Sequence, residues 1–141
     1  MLVFVIVGKS DIPLYQAMFI KSNETEDVSR SDQFLIHAAL DCVDEQVWQN
    51  SAPFLRMVDF SEKAQIFAYV TPGHTRFMLY VEEPTAQTES LAESFFKQVH
   101  ETYMKVILNP FYEANTPITM SAFDEKIKNI GMKTFSSYLP R

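Results

Sequence analysis

A chain of 141 residues makes one ordinary domain, residues 1–141, long enough to bury roughly two thirds of the surface its unfolded form exposes. Its 47% hydrophobic and 21% charged residues describe a globular chain rather than a disordered one. A net charge of −6 with no basic patch argues against nucleic-acid binding, and a single cysteine excludes an internal disulfide framework and fits a reducing compartment.

Leu2 to Val7 is an unbroken apolar run of strand length, the pattern of a strand covered on both faces. It lacks a basic leader and a small-residue cleavage site, so it does not read as a signal peptide, and no stretch approaches the roughly 20 apolar residues that span a bilayer. Gly8-Lys9-Ser10 has the ending of a phosphate-binding loop, but Val3 stands where the first glycine belongs, so no cradle of backbone N–H groups forms. Leu14 to Ile20 is a second strand, antiparallel to the first because the link is short. Lys21 to Arg30 is a polar, acidic surface loop, and its Asn23-Glu24-Thr25 is a chance match to a glycosylation acceptor.

Ser31 to Trp48 contains no Gly or Pro and reads as a helix, with Ser31 as N-cap and Asp32 in the first turn. Ile36, Leu40, Val43 and Val47 form an inner apolar stripe. At about 100° per residue the far side carries Phe34 and Ala38 beside Asp41 and Glu45, while His37, Asp41, Asp44 and Trp48 line one flank. Two readings stand on these residues: a helix with one partner inside the molecule and one outside, or a solvated acidic face with a stray Phe.

Phe54 to Phe60, Gln65 to Thr71 and Thr75 to Glu82 are three strands of an antiparallel meander, with a turn at Pro72-Gly73. In the first, Leu55 and Met57 alternate against Phe54, Arg56 and Val58. Ile66, Ala68 and Val70 oppose Phe67 and Tyr69 in the second, and Phe77, Leu79 and Val81 oppose Met78 and Tyr80 in the third. Thr88 to Leu108 is a long amphipathic helix with Leu91, Phe95, Val99, Tyr103 and Val106 inward, ended by Asn109-Pro110. Ser121 caps a last helix, with Asp124 completing a capping box and Phe123, Ile127, Ile130 and Phe135 inward. Gly131 weakens that helix near its end, and the tail to Arg141 reads as loose.

The order β-β-α-β-β-β-α-α, with apolar residues on both faces of five antiparallel strands, predicts an α/β/α sandwich of the α+β class. The first helix covers one face and the C-terminal pair the other. No internal repeat or linker interrupts it.

Chemistry is nearly absent from the pattern. His37 and Asp41 lie four apart, but a zinc site wants three or four ligands and no motif joins His37, His74 and His100. Cys42 has acids nearby and no basic neighbour, which suits a half-buried spacer rather than a nucleophile. Asn109-Pro110-Phe111-Tyr112 matches a short adaptor-binding signal, but at a helix end it reads as a stop whose aromatics pack. No metal, cofactor or catalytic residue is therefore expected.

The segments FVIVGKSDIPLY, DQFLIHAALDCVDEQVW, AYVTPGHTRFMLY and NPFYEANTPITMSAFDEKIKNIG, in this order and spacing, resemble the sedlin family over nearly the whole chain. That family comprises the small longin-fold (profilin-like) subunits of the TRAPP vesicle-tethering complexes. Gly73-His74-Thr75-Arg76-Phe77 and Ser121-Ala122-Phe123-Asp124 favour sedlin over its sedlin-like paralogue subunit, while Lys21 to Arg30 and the segment after Gly131 diverge most. The resemblance implies a longin fold and a non-catalytic adaptor, joining the core small subunits to larger, complex-specific ones. It implies a cytoplasmic location at endoplasmic reticulum–Golgi membranes, reached through partners. It also implies an indirect connection to a Rab GTPase, whose nucleotide exchange TRAPP assemblies promote.

The Asp after His-Ala-Ala-Leu, here Asp41, is implicated in the family in attachment to the larger subunits. The expected partner-binding band is therefore Phe34, Ala38, Asp41, Glu45 and Trp48. A regulated SNARE would need a heptad helix after the domain, and the sequence ends at Arg141. A small-molecule sensor would need a pocket with convergent polar groups, of which the sequence shows none.

Overall fold

The computed structural model describes residues 2–8, 11–19, 30–49, 53–60, 64–73, 75–82, 84–113 and 115–135, with the side chains at 30–36, 47–49 and 56 left out of that description. The expected acidic loop at 21–30, apart from its last residue, and the loose tail beyond 135 lie outside it, as does His74.

Its elements run β1 (Leu2–Val7), β2 (Pro13–Phe19), α1 (Arg30–Gln49), β3 (Phe54–Phe60), β4 (Ala64–Val70), β5 (Arg76–Glu82), α2 (Thr88–Ile107) and α3 (Ser121–Thr134). All described strand pairings are antiparallel, in the order β2-β1-β5-β4-β3. β1 therefore joins β2 to β5, and its Leu2, Phe4 and Ile6 face one layer while Val3, Val5 and Val7 face the other. That explains the unbroken apolar run: an interior strand buried on both faces has no polar side to show.

The two layers of core differ. On one side α2 and α3 bury Phe95, Phe96, Val99, Tyr103, Phe123, Ile127 and Phe135 against Phe4, Phe67, Tyr69, Phe77 and Leu79. On the other α1 buries Ala39, Leu40 and Val43 against Val3, Leu55, Val58, Ile66 and Met78. The layered arrangement is the one the sequence pattern predicts, and the inward residues of β4 and β5 are those expected.

Several local expectations need correction. α1 begins at Arg30, so Ser31 lies within its first turn rather than capping it. Met120 is the N-cap of α3, with no side-chain capping bond. The expected Ser121–Asp124 box does not form because Ser121 is the first helical residue rather than the cap; Asp124 instead accepts from the Tyr15 hydroxyl through Oδ1 at 2.7 Å and pairs with Lys128 through Oδ2 at 3.0 Å. In β3 the expected alternation fails. Register shifts between Phe54 and Arg56 and between Met57 and Asp59 turn Leu55 and Val58 together into the α1 layer and leave Met57 out in solvent. Each such bulge inserts an extra residue and reverses the in–out order downstream.

Gly131 sits inside α3 and is there for close approach. A Cβ on it would run into the Phe19 ring of β2. Phe96, absent from the expected stripe of α2, is fully buried beside Phe95. The Asn109-Pro110-Phe111-Tyr112 segment does end α2, but only Tyr112 turns inward, its hydroxyl donating to the Thr116 carbonyl at 2.7 Å. The Asn109 Oδ1 accepts from the Phe111 N–H at 3.0 Å, and the tight turn so formed projects the Phe111 ring outward, 96% exposed.

Candidate functional site: the outer face of helix α1

With Ala39, Leu40 and Val43 against the sheet, helical geometry places residues 37, 41, 44 and 45 on the outer half of α1. His37, Asp41, Asp44 and Glu45 are exposed there, and Ala38 and Cys42 are half-buried at the margin. The backbone positions of Phe34 and Trp48 belong to α1, but their side chains lie outside the described residues. Of the expected band, Ala38, Asp41 and Glu45 are thus brought onto one accessible surface.

The acids on this surface are not equivalent. Asp44 is held by Arg76, whose Nη1 donates to Asp44 Oδ1 at 2.9 Å. The other terminal nitrogen, Nη2, donates to Asp11 Oδ1 at 2.6 Å and to the Gly8 carbonyl at 3.1 Å. Arg76 is only 7% exposed, so its charge is compensated where it sits, and the same group ties α1, the β1–β2 connection and β5 together. Sequence reading placed Asp44 on one flank of the helix with His37, Asp41 and Trp48, and nothing local signals that an arginine at the start of β5 pairs with it.

Asp41 and Glu45, by contrast, form no ion pair with any described residue. They are like charges one helical turn apart, which costs a helix about 0.2–0.5 kcal/mol. No basic residue stands in the last turn of α1, where the helix dipole favours a cation. Burial pushes the Cys42 thiol above its usual range, and the charges of Asp59, Glu45 and Asp41 push it further. A thiol so placed is the reverse of an activated nucleophile. Among the described residues this face holds negative charge without an ion-pair partner at Asp41 and Glu45, and no activated nucleophile.

A second accessible region lies at the far end of α2, on the opposite side of the sheet. A cavity of about 490 Å³ opens there between Leu14, Pro72, Tyr103, Met104, Ile107 and Tyr112. Leu108 and Phe111 stand exposed beside it in the chain. The hydroxyls around the cavity are engaged within the molecule: Thr75 with Tyr103 at 3.0 Å, Tyr112 with Thr116, and the Thr71 hydroxyl as acceptor from the Thr75 N–H at 3.1 Å. His100 bonds the Tyr69 hydroxyl through Nδ1 at 3.0 Å, and burial holds its imidazole below the usual pKa. Among the described residues no group of three or more His, Cys, Asp or Glu is placed to hold a metal ion, and no helix is long and apolar enough to cross a membrane.

A family model described as Sedlin matches residues 6–133 of this chain, from β1 into the last turn of α3. The chain belongs to the sedlin family. Among curated proteins it is 37% identical over 131 residues to the transport protein particle 20 kDa subunit of Schizosaccharomyces pombe, covering 91% of this chain and 94% of that one. It is 34% identical over 133 residues to the probable trafficking protein particle complex subunit 2 of Drosophila melanogaster, covering 92% and 94%. With the trafficking protein particle complex subunit 2-like protein of Xenopus tropicalis the identity is 28% over 133 residues, covering 89% and 92%. The sedlin match takes in the whole described part of α1, so the acidic outer face is part of the matched region and not an appendage to it.

Proposed function

We propose that this sedlin-family chain is a non-catalytic adaptor subunit of a trafficking protein particle complex, and that the outer face of α1 is where a larger subunit attaches. The relatives are named as subunits of such complexes, which supports the assembly. In that assembly the chain joins the core small subunits to larger, complex-specific ones. It serves endoplasmic reticulum–Golgi transport at the cytoplasmic surface of those membranes and acts on a Rab GTPase only through its neighbours.

The observation that carries the attachment site is the pair Asp41 and Glu45. They are exposed, adjacent and without an ion pair to any described residue, on a helix whose opposite face puts Ala39, Leu40 and Val43 into the core. A partner with basic groups relieves their repulsion, and apolar contact beside them supplies most of the affinity. An interface of standard size takes about 800 Å² per side, within reach of a helix and one neighbouring element.

Asp41→Tyr tests this. The variant keeps the circular dichroism spectrum of a folded domain, since the position is exposed, yet fails to carry the larger subunits through purification of a reconstituted complex. Loss of one member of a charge pair that becomes buried costs about 2–5 kcal/mol. Recovery of the larger subunits at normal stoichiometry by the folded variant removes Asp41 from the site. A small-molecule sensor is not favoured, because the hydroxyls lining the cavity beside α2 already bond one another or the backbone.

A further inference from the structure

We propose that this chain pairs with a second copy of itself through the C-terminal end of α2, each copy seating its Phe111 in the cavity of the other. The surface lies across the sheet from the α1 face and is independent of the reading given to that face.

Eight large apolar side chains are exposed among the described residues, and half of them, Met104, Ile107, Leu108 and Phe111, fall within eight positions. Helical spacing sets Met104, Ile107 and Leu108 side by side, and the Leu108 N–H closes that turn on the Met104 carbonyl at 3.1 Å. Met104 and Ile107 also line the cavity of about 490 Å³, together with Tyr112 from the turn that follows. Phe111 stands in that same turn, 96% exposed. A protruding ring and an apolar hollow therefore adjoin at one end of the helix. At roughly 200 Å² per large side chain, the four leave about 500 Å² of apolar surface in water, toward the upper end of what a monomer carries. The cavity wall and the exposed Pro72, Gly73 and Pro110 add to it, which brings a standard contact of about 800 Å² per side within reach.

Shape and charge name the occupant. The hydroxyls of the cavity bond one another or the backbone, so a guest needs no polar group. Its volume is in the range that takes a whole small ligand, which is more than a phenyl ring requires. Because ring and hollow are neighbours, a two-fold axis lets both copies insert at once and closes the pair; set apart on the molecule, they would build an open chain. The flanking charges are of both signs. Lys105 and Glu113 are exposed, and neither forms an ion pair with a described residue. In the two-fold pair the lysine of one copy meets the glutamate of the other. The α1 face lacks this property, since a second copy there brings acid against acid.

Sedimentation velocity of the full chain over a concentration series tests the pairing. The expected result is a monomer–dimer equilibrium, weakened at least about tenfold by Phe111→Ser with the thermal midpoint unchanged, because the ring is exposed. Lys105→Glu is expected to weaken the dimer as well, and Lys105→Glu/Glu113→Lys to restore it. Asp41→Tyr, across the sheet, is expected to leave it unchanged. A chain that stays monomeric throughout overturns the proposal, and so does a dimer that Phe111→Ser leaves intact. A double reversal that fails to restore the dimer overturns the two-fold arrangement. A monomeric free chain whose residues 104–111 become protected from hydrogen exchange only in a reconstituted complex assigns this face to another subunit and overturns self-pairing. The α1 attachment is read separately, by reconstitution with Asp41→Tyr, and stands or falls on that measurement.

Discussion

Toward α2 and α3 the sheet presents mostly rings, and toward α1 it presents mostly aliphatic groups, with Tyr80 the single buried ring among the described residues of that layer. Phe4, Tyr69 and Phe77 meet Phe95, Phe96 and Tyr103, several at near-perpendicular ring angles, as in Phe4–Phe95 at 87° and Phe77–Tyr103 at 87°. Val3, Ile66 and Ala68 meet Ala39 and Val43. Strands lie about 4.8 Å apart and a helix with its side chains is about 10 Å wide, so one helix covers about two strands. Two helices close the aromatic face. One helix cannot close the other: α1 lies over β3 and β4, and at the far strands Val5 and Met18 stay only partly buried. Stability is expected to concentrate on the ring side, and the outer half of the single helix α1 is the face we propose for a partner.

The sharpest way to break this contrast is to truncate one core residue on each side. Phe95→Ala removes a fully buried ring in contact with Phe4, Phe19, Phe96 and Phe135, and is expected to cost about 3–5 kcal/mol. Val43→Ala, equally buried in the α1 layer, is expected to cost about 2 kcal/mol. Urea unfolding of both measures the gap, and equal losses would mean that the layers contribute alike.

Gly131→Ala probes how closely α3 is pressed onto β2. Alanine favours a helix over glycine by about 1 kcal/mol, while overpacking costs about 1–3 kcal/mol. Because the new methyl meets the buried Phe19 ring, the second effect is expected to win, with a net loss of about 1 kcal/mol. A rise in thermal midpoint would show that the ring moves aside freely.

The smallest effect tests the polar tie between the same two elements. The Tyr15 hydroxyl bond, with Lys128, holds the Asp124 carboxyl below the usual carboxylate range, and burial with the Asp124 contact pushes the Tyr15 hydroxyl well above its own. A depressed acid stabilises the fold above its unfolded pKa of about 3.9, and that gain disappears as pH falls through the lower folded value. Wild type is therefore expected to exceed Asp124→Asn by under about 1 kcal/mol at neutral pH, the exposed Lys128 contact being screened by solvent, and to lose that margin in acid below about pH 4. A margin that persists unchanged in acid would exclude the carboxylate as its source.

Periodicity by itself determined the order of elements, the α/β/α layering and the inward residues of β1, β4, β5 and most of α2. Those depend on which side chains must leave water, and the 2.0 and 3.6 repeats record that locally. It also placed Asp41 and Glu45 on an outer face, because the opposite stripe of α1 is apolar. Only the tertiary structure decided that Asp44 belongs to Arg76, that Gly131 admits the Phe19 ring, that Asp124 serves Tyr15 instead of a helix cap, and that β3 carries Met57 and Phe60 outward. Each of these joins residues distant in the chain or turns on a strand register, and neither leaves a mark in local spacing.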